Sequence, residues 1–157
     1  EASTSQFESA GITTGILRIG LVLAKQGGVL PVLTKPIRFG VGSPLGNGKQ
    51  WQSWIHIDDL VSIFYFALQQ RLSGVYNAVS PNPVTNAKLT REAGRILNRP
   101  VWLPAVPALM LKLIMGGRSR LPLDSQRVCA SKIQEEGFSF VYPNLIPTLE
   151  DLLRSEK

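Results

Sequence analysis

The side chains best suited to acid–base chemistry in this 157-residue sequence lie close together, where its single histidine, His56, is followed by Asp58 and Asp59. Histidine exchanges a proton near neutral pH more readily than other side chains, and at a strand end it could face a substrate cleft. The more frequent alternative is that its ring nitrogens anchor a loop. Asp58 is predicted to cap a helix rather than to act as a catalytic acid.

Three further residues could contact a ligand. Trp54 could stack on a flat or sugar-like molecule, although packing in the core suits it as well. Arg18 lies in an apolar segment, where an unpaired charge would be costly, so it lies either near a cofactor pocket or beside a carboxylate elsewhere in the protein. Gly20, in the same segment, would let the backbone come close to a ligand or to a neighbouring strand.

The single cysteine, Cys129, excludes an internal disulfide and a multi-cysteine metal site, and no metal ligands are predicted. Its place between Val128 and Ala130, far in sequence from His56, predicts packing rather than nucleophilic catalysis. A reducing, cytoplasmic location follows as an expectation.

Charge and composition restrict the partners. The net charge is +6, and the basic excess gathers between Arg95 and Lys132. Such a cluster could attract phosphate or nucleic acid, but we favour a solvated helical face, because no aromatic residues are interleaved with the charges. The sequence has no apolar run long enough to span a membrane. We expect neither nucleic acid nor membrane as a partner.

The apolar segment Gly15–Leu23 is typical of a strand that is buried on both faces of a parallel sheet. The sequence before it supplies no neighbouring strand; Glu1–Ala10 is predicted to be the tail of a helix, closed by Gly11. With no initiating methionine, the chain looks like a cut through a longer gene. An open sheet edge predicts a homo-oligomer or an exchange of elements between copies.

The remaining elements alternate between strands and helices, which predicts an α/β fold with a helical cap. The helix that begins at Asp59 is apolar almost all round, so both of its sides should be covered. In chain order the predicted elements are helical turns Val29–Leu33 ending near Pro36, strand Ile37–Val41, strand Lys49–Ile57, helix Asp59–Gln70, strand Gly74–Ser80, a helix from the Thr85 cap to Leu97, and helices Pro107–Met115, Asp124–Glu136 and Pro147–Ser155.

Four segments, taken in order, resemble the NAD(P)-dependent epimerase/dehydratase family of extended short-chain dehydrogenases/reductases. The last is similar to a short C-terminal domain of unknown function in one epimerase subfamily. The segments are Arg18–Leu23 with Gly27 and Gly28, Gly46–Leu60, Gly74–Pro81 with Pro83–Asn86, and Ser125–Val128 with Gly137–Pro143.

The resemblance implies the C-terminal portion of a Rossmann-like, doubly wound fold: residues 1–100 complete the dinucleotide domain with substrate-side insertions, and residues 101–157 form a small helical domain. The intact protein would use NAD or NADP, with Arg18 and Gly20 near the cofactor, and act on a small, sugar-like substrate near Gln52, Trp54 and His56. The family's glycine-rich pyrophosphate turn and its Tyr-x-x-x-Lys pair are not found in this sequence. We therefore assign no catalytic residue and expect no cofactor to bind this chain alone.

Gln52 departs from the pattern of related nucleotide-sugar enzymes, which place an arginine there to grip a diphosphate. An amide lacks the charged fork that a phosphate prefers, so a nucleoside-diphosphate sugar is a less secure expectation. Two hypotheses remain: an enzyme fragment that contributes the substrate side of a cleft, or a non-catalytic binding or regulatory protein that retains the fold.

Overall fold

A computed structural model describes residues 12–104 and 125–154. The predicted helices Glu1–Ala10 and Pro107–Met115 lie outside these residues. The described elements, in chain order, are β1 (Gly15–Ile19), β2 (Leu21–Leu23), α1 (Leu30–Arg38), β3 (Trp51–Gln52), β4 (Trp54–His56), α2 (Ile57–Gln69), β5 (Gly74–Ala78), β6 (Val84–Thr85), α3 (Asn86–Ile96), α4 (Ser131–Glu135) and α5 (Leu145–Arg154).

The predicted strand Gly15–Leu23 is two strands that change partner at Gly20. β1 pairs in parallel with β5, and β2 pairs in parallel with β4. The prediction of burial on both faces is wrong for β1, because Ile19 is 50% exposed and Arg18 is exposed as well. Within residues 12–104 and 125–154, β5 is the strand that pairs with β1. The apolar composition of β1 predicted a second neighbouring strand, which these residues do not provide.

Gly20 holds this junction together. Its amide donates to the carbonyl of Ala78 (3.2 Å), and the next amide, of Leu21, donates to the carbonyl of Ser53 (2.8 Å). A Cβ at position 20 would overlap the Ser53 carbonyl oxygen and lie 2.6 Å from Val79 Cγ1. Glycine is therefore required by the close approach of neighbouring protein atoms, as one of the two interpretations of this residue predicts.

Four local predictions are wrong. One is the helix Asp124–Glu136, because residues 125–130 are not helical and the helix is α4, Ser131–Glu135. Helix α1 continues through Pro36 and includes Ile37, so the strand Ile37–Val41 does not form. A proline removes one hydrogen bond near the end of a helix, and burial of Leu33 and Ile37 outweighs that loss. The strand Lys49–Ile57 is divided at Ser53 into β3 and β4, and its last residue begins α2.

The outer side of α2 is apolar and uncovered by the residues that the structure describes, contrary to expectation. Its side chains are between 44% and 78% exposed and recur at helical spacing: Val61, Phe64, Tyr65 and Leu68. By contrast, the predicted helix after Thr85 is confirmed, and the Thr85 hydroxyl accepts from the amide of Lys88 (3.3 Å).

The C-terminal residues share both hydrophobic clusters of the described structure with the α/β part. In the first cluster, Leu149 and Leu152 of α5 pack with residues of α1 and α3 around Leu23 and Trp54. In the second, Ile133 of α4 and Phe138 pack with α2 and β5. The predicted domain boundary near residue 100 stays a prediction.

Replacing Gly20 with alanine should lower the free energy of unfolding by about 2 to 3 kcal/mol, because the new methyl group meets backbone that cannot yield. Gly27→Ala is the control: Gly27 has a positive φ but nothing within 4 Å of a Cβ, so about 1 kcal/mol is expected. Urea denaturation measures both. Equal losses would contradict the close approach as the cause.

Candidate functional site

A cavity of about 500 Å³ opens where β1 gives way to β2, between β3 and a C-terminal segment, Ser125–Val128. This volume is in the range of small-molecule sites. Among the lining residues that the structure describes, Arg18 carries the one formal charge, none is acidic, and three have amide side chains. The lining residues are Arg18, Ile19, Gly20, Leu21, Trp51, Gln52, Ser53, Asn77, Val79, Gln126 and Val128.

Of the predicted site residues, Arg18, Gly20 and Gln52 all line this cavity, although they come from two separate segments of the chain. The register of the strands explains this. Arg18 lies beside Asn77 in the β1–β5 pair, and Gln52 of β3 comes just before Ser53, whose carbonyl accepts from Leu21. The cavity therefore brings the residues predicted near a cofactor, Arg18 and Gly20, together with Gln52, which was predicted near a substrate.

Trp54 and His56 are not among the lining residues. Trp54 is fully buried, and its indole Nε1 donates to the carbonyl of Asn82 (3.0 Å), so the indole packs in the core and is not placed to stack on a ligand. Its chain neighbours Ser53, which precedes β4, and Ile55, within β4, show why: Ser53 lines the cavity, whereas Trp54 and Ile55 enter the two hydrophobic clusters.

His56 anchors the polypeptide through its ring nitrogens, as the alternative to a role at the substrate cleft predicts. The ring is 1% exposed, and its Nδ1 accepts from the amide of Asp58 (3.0 Å), which makes His56 the N-cap of α2. The neutral ring then carries its proton on Nε2, which lies 3.3 Å from Asp151 Oδ2 in α5. The prediction that Asp58 caps this helix is wrong, because His56 precedes it in the extended conformation that a cap requires.

A second anchor lies beside this ring. Asp59, buried in the first turn of α2, accepts from the amides of Val141 and Tyr142, each at 2.9 Å. The Tyr142 ring stacks on His56 with centroids 3.9 Å apart. Burial raises the pKa of the Tyr142 hydroxyl, and the nearby carboxylates Asp151, Asp58 and Asp59 raise it further. Together these contacts fasten the C-terminal region to the start of α2.

Ser53, Asn77 and Gln126 line the cavity but were not predicted. The signal for Asn77 is a polar residue inside the apolar run Gly74–Ala78. The sequence contains no comparable signal for Ser53, because serine is common in loops and at strand ends. Its hydroxyl donates to the carbonyl of Gln126 (2.7 Å) and accepts from the amide of Val128 (2.9 Å), a contact across more than 70 residues.

The other potentially reactive side chains of the described structure, those of Cys129 and Tyr76, form hydrogen bonds with neighbouring protein groups. Cys129 is exposed rather than packed, contrary to prediction, and hydrogen bonds from Ser131 lower the pKa of its thiol. The Tyr76 hydroxyl donates to Glu136 (2.8 Å), and this bond, helped by burial, raises the pKa of Tyr76. Residues 12–104 and 125–154 contain no group of three or more potential metal ligands.

Basic residues of the predicted cluster contact protein groups where the structure describes them. Arg95 pairs with Glu92 (2.9 Å), and Lys132 donates to the carbonyl of Val75 while lying over the Tyr76 ring. Arg127 lies 4.6 Å above the ring of Trp51. Whether the basic cluster forms only a solvated face stays a prediction.

Comparison with known families accounts for most of the chain. Residues 7–78 match the sequence model of the NAD dependent epimerase/dehydratase family, and residues 106–152 match a domain of unknown function, DUF1731. Over these residues the chain is similar to the epimerase/dehydratase family. The resemblance stated from the sequence is thus confirmed, including the C-terminal domain of unknown function.

Three individual proteins are similar to this chain over most of its length. It is 38% identical to an Arabidopsis thaliana protein named epimerase family protein SDR39U1 homolog, chloroplastic, over 91% of this chain and 41% of that protein. The crystal structure of human epimerase family protein SDR39U1 with NADPH superimposes with a TM-score of 0.85 at 29% identity, over 97% of this chain and 54% of that one. A nucleoside-diphosphate sugar epimerase from Corynebacterium glutamicum gives a TM-score of 0.72 at 32% identity, over 96% of this chain and 28% of that one.

These structures confirm the predicted α/β, Rossmann-like fold class. The chain spans about half the length, or less, of the proteins it matches. Within the part that the structure describes, no helix is both long and apolar enough to cross a bilayer.

Asp59→Asn should lower the free energy of unfolding by about 2 kcal/mol, because an amide can accept from only one of the two buried N–H groups and turns its NH₂ toward the other. Asp58→Asn is a matched control one residue away. Its side chain is 69% exposed, and a change within about 0.5 kcal/mol is expected. Thermal and urea unfolding report both values. A similar loss for the two variants would contradict the anchoring role of Asp59.

Proposed function

We propose that this chain is the substrate-side part of an NAD(P)-dependent oxidoreductase of the epimerase type, and that its cavity contacts a small, sugar-like substrate. The observation that supports this most strongly is the composition of the lining. One arginine and three amide side chains, and no acidic side chain, are among the described residues that line a space of about 500 Å³. Such a lining favours an anionic or hydroxyl-rich ligand over a cationic one.

The lining residues have separable tasks in this proposal. Arg18 attracts negative charge or a hydroxyl oxygen, and the amides of Gln52, Asn77 and Gln126 orient hydroxyl or carbonyl groups, because each offers both a donor and an acceptor. Apolar neighbours exclude water from one side: Ile19, Leu21, Val79 and Val128. Trp54 and His56 support this wall from the core and have no direct contact with substrate in the proposal.

The cofactor requires more than the described residues offer. When bound in a protein of this class, NAD or NADP supplies the hydride chemistry. Among the seven glycines with positive φ in the described structure, Gly27 and Gly28 lie between β2 and α1, but these adjacent glycines do not match the G-x-G-x-x-G spacing that holds a pyrophosphate. We propose that Arg18 and Gly20 lie at the edge of a cofactor pocket in the longer protein, and that this chain alone holds no dinucleotide.

A second hypothesis is that the protein binds a ligand without catalysis and keeps the fold. It is based on Gln52, which stands where related nucleotide-sugar enzymes have an arginine that grips a diphosphate. Both hypotheses use the same cavity and differ in what the rest of the protein contributes. In both we propose a cytoplasmic, homo-oligomeric protein without nucleic-acid or membrane partners. The exposed apolar face of α2 supports self-association, since soluble proteins rarely leave such a surface uncovered.

Uridine diphosphate glucose should shift the NMR signal of the Trp51 indole, because Trp51 lines the cavity. Trp54, fully buried, and Trp102, 70% exposed and outside the lining, are internal controls that should not move. Uridine diphosphate alone should give a smaller shift, because it lacks the sugar hydroxyls that the amide side chains would orient, and NADPH should not bind. An unchanged Trp51 signal at millimolar sugar nucleotide would refute the substrate proposal, and equal shifts with uridine diphosphate would refute recognition of the sugar.

Multi-angle light scattering should give about twice the 17.2 kDa mass of one chain at high concentration. Leu68→Lys places a charge on the exposed face of α2 and should shift the population toward monomer. Phe39→Lys alters an equally exposed residue at the end of α1 and should not. A monomeric wild-type chain would overturn the proposal of self-association.

A further inference from the structure

The C-terminal segment Ser125–Val128 forms a wall of the cavity, and two of its side chains, Gln126 and Val128, are lining residues. Both lie within the match to the domain of unknown function, residues 106–152, whereas the opposite wall lies within the match to the epimerase family or close after it. The cavity is therefore built jointly by the two regions. What holds the segment in place decides the shape of the space.

Ser53 provides the central attachment. It lies between β3 and β4, and its hydroxyl makes two hydrogen bonds to the segment, as donor to Gln126 and as acceptor from Val128. The backbone carbonyl of the same residue accepts from Leu21 on the opposite wall. One buried residue thus ties both sides of the cavity together.

Neighbouring contacts extend the attachment along the segment. The Trp51 amide donates to the Ser125 hydroxyl (3.1 Å), and the Gln126 amide donates to the Trp51 carbonyl (3.2 Å). Arg127, between the two lining residues, lies over the Trp51 ring instead. The segment is thus fixed in register, with Gln126 and Val128 at the cavity.

We propose that Ser53 is the positioning residue that makes Ser125–Val128 a wall of the cavity, and that Val128 and Gln126 on this wall determine which substrate substituent fits. The region of unknown function thereby supplies the specificity side of the site. The specificity part rests on the proposed function; the positioning part does not.

Three variants test the positioning part on the whole chain. Ser53→Ala removes both hydrogen bonds at a site that is only 6% exposed, so the Val128 amide should exchange with solvent about tenfold faster in NMR measurements. Ser53→Thr keeps a hydroxyl and should restore protection. Ser80→Ala is the matched control: Ser80 is also buried and donates to the Pro143 carbonyl (2.9 Å), away from this wall, so Val128 exchange should not change.

Unchanged Val128 exchange in Ser53→Ala, or an equal increase in Ser80→Ala, would overturn the positioning role, because the wall would then be held by general packing. If Ser53→Ala fails to fold, Ser53→Thr and Ser53→Cys provide graded changes of the same hydroxyl. A Val128 amide that stays protected in the cysteine variant, whose thiol hydrogen-bonds weakly, counts against the proposal in the same way.

Two probes that differ in one substituent test the specificity part. Val128→Ala enlarges the cavity and should raise the affinity for uridine diphosphate N-acetylglucosamine, relative to uridine diphosphate glucose, by about threefold or more. Gln126→Ala should lower the affinity for both, while Gln134→Ala, outside the lining, should change neither. An unaltered ratio in Val128→Ala refutes the specificity role. If neither probe binds the wild-type chain, the proposed function and the specificity role fail, and amide exchange still decides the positioning role.

Discussion

The described structure depends on the close approach of one backbone to another at Gly20. On one side of this residue the chain hydrogen-bonds to β5, and on the other side it hydrogen-bonds to Ser53 and β4. Because the partner changes within one residue, the two neighbouring strands diverge, and the cavity lies where they separate. A side chain at position 20 would push these backbones apart, so the cavity and the strand pairing share one steric requirement.

The segment from Trp51 to Asp59 shows how the remaining parts are joined to that junction. Ser53 attaches the cavity wall, while His56 and Asp59 attach the region around Tyr142 and α5. Trp54 and Ile55, between these polar residues, enter the two hydrophobic clusters. A short stretch thereby contributes to the core and to the site at once, and its buried polar residues Ser53, His56 and Asp59 each have hydrogen-bond partners.

Sequence reasoning found the features that local patterns encode. The strand–helix order and the Thr85 cap follow from hydrophobic periodicity and capping residues, and the family resemblance follows from four motif segments. Arg18 and Gly20, predicted near a cofactor, and Gln52, predicted near a substrate, line the same cavity. It failed where distant contacts decide. The exposure of β1 and α2 depends on which neighbours cover them, and the role of Ser53 depends on a segment more than 70 residues away. The roles of Trp54 and His56 depend on the burial of β4 on both faces, because Trp54 and Ile55 enter the two hydrophobic clusters and His56 is buried as well.

The shared core of α5 with α1 and α3 bears on how such proteins diverge. Because the His56–Asp151 contact and the leucines of α5 cross between the two matched regions, the C-terminal region cannot be exchanged between relatives as an independent cassette. A chimera would have to carry the partner residues of both regions together. Changes in substrate preference are then expected to arise by paired substitutions on the two walls rather than by recombination at the boundary between them.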